Sequence, residues 1–427
     1  MNTTKTAFRL LTALVLMSSL SSCRKMEIDT DQRREIITGL FPVDTVDQYH
    51  QWDLLQTKSV SVSTDIDDNI SRVQLLSGNP YASSDVEILA EKYSQTNDYV
   101  GLIAELPKST STTGLYAAAV NRYGKYYVVP VGSKSAVNFS SGDVIDEGDF
   151  HEPSYQTFTY LFEQDFPLPG DFDFNDVVLR VSKSMVSSNI LKLQVTLAAV
   201  GSQAMLGAAV RLCDINYDDV ENVTIDEGTR FDEDYPIERF YIDNEALWVS
   251  GIDGSLVVNL FEDAHWALNP ETENGMVKRL YYNTRTYEKE NECAKVPTKT
   301  RTYTIRLKDA VDVTNKSLFS RIDPFIIETS YGINMEVHTY KYKYNEAIWR
   351  YTSGDASGED DRVAWALLIP DGTFHYPLEE LPIGHYRNGE VSGVYCRYNH
   401  SFGQWGRNCQ TSLDWWQYAN ATKSQVY

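Results

Sequence analysis

Residues 191–197 read LKLQVTL, with an apolar side chain at every second position. Successive side chains of an extended strand point to opposite faces, so this run buries one face and wets the other. A helix would scatter the same residues around its circumference. The pattern recurs at residues 59–63 (SVSVS), 301–308 (RTYTIRLK) and 337–344 (VHTYKYKY), the last with aromatics on one face and basic groups on the other. Residues 115–120 and 126–131 are further strands, joined by a turn over residues 121–124, and Asp253-Gly254 and Asp371-Gly372 punctuate later runs. The chain shows no alternation of strands with helices and no repeat of fixed period. The expected fold is all-β: a small N-terminal β-domain over residues 41–150 and a larger sandwich-like β-domain over residues 155–427. One short helix is expected in the first domain, because Ser84 with Glu87 forms a capping box ahead of Ile88, Leu89 and Tyr93.

The N-terminal residues indicate where such a domain works. Lys5 and Arg9 precede an apolar run over residues 10–20, which is short for a membrane span. Leu20-Ser21-Ser22-Cys23 follows. It resembles a bacterial lipobox, in which the cysteine is diacylated and becomes the first residue after cleavage. Residues 1–22 are then a signal peptide, Cys23 carries the lipid, and residues 23–40 form a charged tether. An ordinary secretory signal is the alternative. Two acyl chains suffice for stable anchoring to a membrane. The expected location is the cell envelope, as an outer-membrane lipoprotein on the periplasmic or surface-exposed face.

Residues 1–22 hold two basic and no acidic side chains, which leaves 36 Lys and Arg against 60 Asp and Glu. Such a surface repels nucleic acid and attracts cations. With 28 Tyr and 8 Trp the chain is still rich enough in aromatics to fold. Beyond Cys23 there remain Cys213, Cys293, Cys396 and Cys409. Cys396 and Cys409 lie nearest in sequence and are the expected disulfide in an oxidising compartment. No spacing of Cys and His reads as a zinc site.

The strongest local signal for chemistry is residues 169–181, PGDFDFNDVVLRV. Asp171, Asp173 and Asn175 alternate with Phe172 and Phe174, and Asp176 follows. Oxygen ligands at alternate positions of a tight loop can wrap calcium, which takes roughly six to eight oxygens. Glu163 or Asp165 could reach back to join them. An EF-hand is excluded, because Asp176 falls where that loop needs Gly and Ser182 where it needs a bidentate Glu. The bland alternative is a turn in which Asp and Asn cap their own backbone.

Glu163 followed by GDFDFNDVV resembles the signature of the LruC-type domain, found in exported lipoproteins of the Bacteroidetes. Further pieces match in order: VNLFEDAH at residues 258–265, DPFI at 323–326 with EVH at 336–338, and WALLIP at 365–370 with FHYPLE at 374–379. Trp405 and the Asp414-Trp415-Trp416 close resemble the family's aromatic end. The chain departs from the family pattern at residues 339–341 and at Ala364. The resemblance implies a β-rich envelope lipoprotein with no settled activity, and it supports a calcium loop.

No GxSxG elbow, HExxH or phosphate-cradling glycine loop is present. The expected role is non-catalytic: recognition or adhesion, with a glycan or surface protein as partner and calcium as cofactor. A structural or assembly component of a surface appendage or envelope complex is the alternative, and a glycan-processing enzyme a third. Trp405, Trp415 and Trp416 could form a sugar-stacking surface, or could instead dock the C-terminal segment by burial.

Overall fold

The computed structural model describes residues 39–93, 99–139, 144–164, 170–226, 228–235, 246–251, 253–308, 322–330, 333–339, 350–352, 363–419 and 425–427. Cys23, the leader, Asp165 and the tether up to residue 38 lie outside the described residues.

The period-two runs fold as strands. The first part of the chain supplies β1 (Leu55–Thr64), β2 (Ile70–Leu76), β3 (Glu87–Tyr93), β4 (Val100–Pro107), β5 (Tyr116–Asn121), β6 (Tyr126–Pro130), β7 (Ala136–Phe139) and β8 (Ser154–Tyr155). One sheet runs β4-β1-β7 and the other β6-β5-β2-β3-β8. Val60, Val62, Leu75, Leu102, Ala117 and Phe139 fill a shared core. The helix expected after Ser84 is not formed. Residues 87–93 are β3, because Ile88 and Ala90 pair with Leu76 and Leu75 of β2. A capping box is a local preference, and a ladder to a neighbouring strand outweighs it.

Strand β8 pairs in parallel with β3, and past Gln156 the chain enters β9 (Thr157–Phe162). The larger sandwich follows with β10 (Val177–Ser187), β11 (Ile190–Ala199), β12 (Leu206–Asn216), β13 (Val220–Ile225), β14 (Trp248–Ser250) and β15 (Ser255–Phe261). A short helix, α1 (Ala264–Leu268), leads to two small ladders, β16 (Thr272–Glu273) with β17 (Met276–Val277) and β18 (Tyr281–Tyr282) with β19 (Cys293–Ala294). Then come β20 (Lys299–Leu307), β21 (Ile322–Ser330), β22 (Ile333–His338), β23 (Arg350–Thr352) and β24 (Ala366–Ile369). The chain closes with β25 (His385–Arg387), β26 (Glu390–Ser392), β27 (Cys396–Arg397), β28 (His400–Ser401) and α2 (Phe402–Arg407).

Two six-stranded sheets form this sandwich, in the orders β13-β20-β11-β10-β9-β24 and β14-β15-β12-β21-β22-β23. Leu191, Leu193, Val195 and Leu197 of β11 are fully buried, while the Lys192, Gln194 and Thr196 between them are not. Each such burial contributes about 1.5–3 kcal/mol. Of the strand expected at residues 337–344, Val337 and His338 end β22, and residues 340–344 lie outside the described residues.

The N-terminal boundary differs from expectation. Phe41, Val43, Trp52 and Leu54 pack into the core of the larger sandwich, not the smaller one. The Trp52 ring meets those of Trp405 and Phe402 at 5.2 and 5.7 Å. Large aromatics from both parts of the chain find each other, so residues 39–54 run as a belt across the larger unit.

Candidate metal centre

The loop ahead of β10 is set by two irregular residues. Phe172 and Phe174 have φ of 57° and 58°, the left-handed region that bulky side chains avoid. Such a conformation costs about 1–3 kcal/mol per residue and persists where the surroundings impose it. Here the rings impose it. Phe172 lies 5.2 Å from Phe41 and 5.7 Å from Trp365, and both phenylalanines are buried. With the rings turned inward, the polar side chains between them converge.

Oxygens of Glu163, Asp171 and Asp173 lie within 4.8 Å of one another. Two ligands on opposite sides of one calcium, each at about 2.4 Å, stand about 4.8 Å apart, so this spacing fits one shared ion. Glu163 is fully buried. Its Oε1 accepts the N–H of Phe174 at 2.6 Å, while Oε2 has no hydrogen-bond partner among the described residues. Gly170 leaves room for that oxygen, since a Cβ there would stand 2.5 Å from it. Asp173 is 1% exposed, and its two oxygens accept the N–H groups of Asn175 at 3.0 Å and Glu380 at 2.9 Å.

The electrostatics are those of crowded anions. Burial pushes the Glu163 carboxyl far above the ordinary range, and Asp176, Asp173 and Asp171 add to it. Asp173 is raised in the same way by burial, then by Asp171, Asp176 and Glu379. Asp171 has an exposed side, yet the protein packed on its inner side raises it too. Glu379, half-buried beside the loop, is pushed up to about 8 by burial and by Asp171, with Arg285 opposing.

Asn175 and Asp176 stand differently from the trio. Asp176 receives the N–H of Gln164 at 2.7 Å. Asn175 donates to the carbonyl of Pro377 at 3.1 Å, and its Oδ1, without a partner among the described residues, fills the space where Gly201 lacks a side chain. Glu379 and Glu380 were not assigned to the site by sequence reasoning. They come from more than 200 positions downstream, and the one sequence signal for Glu379 is that FHYPLE belongs to the same family resemblance as GDFDFND.

Of the remaining expectations, the disulfide is not formed, and Trp405 and Trp415 follow the burial reading. Cys396 and Cys409 are not joined in a disulfide. Cys396 sits in the β27–β28 hairpin, whereas Cys409 lies beyond α2, its N–H held by Asp47. Trp405 and Trp415 do not form an exposed platform either. They are 1% and 0% exposed and pack with Phe402, Phe374 and Tyr395, while Trp416 is partly buried against the same core. Trp405 and Trp415 thus bury apolar area in the core.

The other motifs quoted from the sequence make buried polar networks. His265 Nε2 donates to the Ser202 carbonyl at 2.8 Å, which leaves Nδ1 to accept from Arg279. Arg279 also pairs with Asp263, and Asp263 receives the Tyr235 hydroxyl at 3.0 Å. Both ring nitrogens of His338 face carboxylates, Asp323 at 2.8 Å and Glu336 at 3.0 Å. Where both carboxylates are ionised they only accept, and both ring nitrogens then carry protons. Burial opposes that charge, but Asp323 and Glu336 outweigh it and raise the His338 pKa.

A family model described as a domain of unknown function, DUF4842, matches residues 189–416. Among solved structures, the chain is similar to a candidate lipoprotein from Bacteroides ovatus, with 13% sequence identity, a TM-score of 0.40, and coverage of 88% of this chain and 93% of that one. No curated protein matches.

Proposed function

We propose, for a chain that belongs to the DUF4842 family of domains of unknown function, the role of a non-catalytic, lipid-anchored envelope protein whose larger sandwich is stabilised by calcium. The acyl chains sit on Cys23, and the outer membrane holds the protein. The folded part recognises or adheres to a glycan or a surface protein. The likeness of its motifs to the LruC-type domain supports this reading, as do the lipobox-like leader and the excess of acidic side chains.

The observation that carries the calcium claim is the unpartnered Oε2 of Glu163, buried beside the oxygens of Asp171 and Asp173. A buried acceptor without a donor is costly, and three carboxylates in one place are costlier. One hard cation relieves both. Glu163, Asp171 and Asp173 would hold it, and its charge would fix the loop that starts β10. A partner would have to bind elsewhere than on Trp405 and Trp415.

Calorimetric titration of calcium chloride into residues 24–427 tests the metal claim, with a glycan array run with and without calcium to test recognition. Saturable heat, an upward melting shift and loss of both in Asp173→Ala are expected. Absence of heat and shift, with Asp173→Ala behaving like wild type, removes the metal. Release of the protein from the membrane fraction by Cys23→Ser tests the anchor.

A further inference from the structure

The acidic loop also touches the place where the tether enters the fold. Phe172, between Asp171 and Asp173, packs edge-on against Phe41 at 5.2 Å. The stretch from Pro377 to Ile383 lies along the same loop. Asn175 donates to the Pro377 carbonyl, Glu380 N–H donates to Asp173, and Ile383 N–H donates to the Phe172 carbonyl at 3.0 Å. That stretch runs directly into β25, which grips the N-terminal belt. Tyr386 N–H donates to the Pro42 carbonyl at 2.9 Å, and Asp44 N–H returns to the Tyr386 carbonyl at 3.0 Å. Arg387 donates to the carbonyls of Phe41 and Gly39 at 2.6 and 2.7 Å. Further along, Asp47 N–H donates to Gly406 and the His50 ring bonds the Trp405 carbonyl, both at 3.0 Å.

We infer that the bound cation clamps the N-terminal belt, residues 39–54, onto the larger sandwich and so sets how far the protein stands from the membrane. This rests on the calcium reading above. With the cation in place, Asp171 and Asp173 stay together, Phe172 keeps its left-handed backbone, and its ring and carbonyl hold Phe41 and Ile383. Without it, mutual repulsion of the carboxylates opens the loop, and the strain at Phe172 and Phe174 favours that opening. Phe41 then loses its packing partner, and the Pro377–Ile383 stretch loses its acceptor on Asp173. Release of the 16 residues from 39 to 54 adds as many to the tether. At about 3.3–3.6 Å per extended residue, that is at most roughly 55 Å of extra reach.

Hydrogen exchange of the mature chain, carrying Cys23→Ser for solubility, tests this in calcium chloride against a chelator. Calcium binding is measured in parallel by calorimetry. The amides of Asp44, Asp47, Glu380 and Tyr386 should exchange at least about tenfold faster without calcium, while those of β11 stay unchanged. Phe41→Ala should still bind calcium but show fast exchange at Asp44 and Asp47 in both conditions. If calcium binds and protection is confined to the loop itself, the clamp is wrong and the calcium site stands. Calcium-dependent protection that survives in Phe41→Ala also overturns the clamp. Absence of binding heat overturns both.

Discussion

Glu163→Gln keeps the Oε1 acceptor for Phe174 N–H and exchanges only the unpartnered Oε2 for an amino group. The change should act with opposite sign in the two metal states. Glu163 and Asp173 have oxygens no more than 4.8 Å apart. At an effective dielectric constant of about 20, two ionised carboxylates at that distance repel by roughly 3.5 kcal/mol. The alternative is for one of them to keep a proton at pH 7. From an ordinary pKa of about 4.3, at about 1.36 kcal/mol per unit, that costs roughly 3.7 kcal/mol. Either route burdens the metal-free protein by a similar amount. The glutamine removes the burden, and its amino group can donate to the neighbouring carboxylates. At about 2–4 °C per kcal/mol, the variant should melt up to roughly 7–14 °C above wild type in chelator. Calcium at a hundred times its Kd should stabilise wild type by about 2.7 kcal/mol, roughly 5–11 °C, and the variant by little. Differential scanning calorimetry in both conditions reads all four melting temperatures. A variant that melts lower than wild type in chelator and still rises with calcium would mean that Glu163 neither strains the metal-free loop nor holds the ion.

His338 should make stability fall with rising pH. Its folded pKa is raised, so its contribution is fully present below the ordinary value of about 6.5 and is lost as pH climbs through the folded one. Melting curves in saturating calcium should show this slope, and His338→Gln should flatten it while costing about 3–5 kcal/mol at low pH. Gly201→Ala places a Cβ 1.7 Å from Asn175 Oδ1 and 2.7 Å from its carbonyl, so chemical denaturation should show a loss of about 1–3 kcal/mol. Gly101→Ala, with nothing within 4 Å, should stay within about 0.5 kcal/mol of wild type.

The strands were legible because β11 and β20 bury one face and wet the other, which writes a period of two into the chain. The loop was legible because Asp171, Asp173 and Asn175 are close in sequence and alternate with Phe172 and Phe174. Glu163 could be suggested but not placed, since its approach depends on β9 pairing with β10. The Ser84 signal misled because four residues of capping chemistry say nothing about β2, which claims residues 88 and 90. Trp415 and Trp52 carry no mark that they share a core, because their meeting depends on the whole path of the chain between them. The expected disulfide failed for the same reason: thirteen positions of separation do not fix where Cys396 and Cys409 stand after a hairpin and a helix.

The most direct test is a crystal structure of residues 24–427 grown with calcium, with anomalous diffraction collected to locate the ion. One anomalous peak is expected about 2.3–2.6 Å from oxygens of Glu163, Asp171 and Asp173. Density for water alone at that point, or a lysine or arginine side chain paired with Glu163 Oε2, would contradict it.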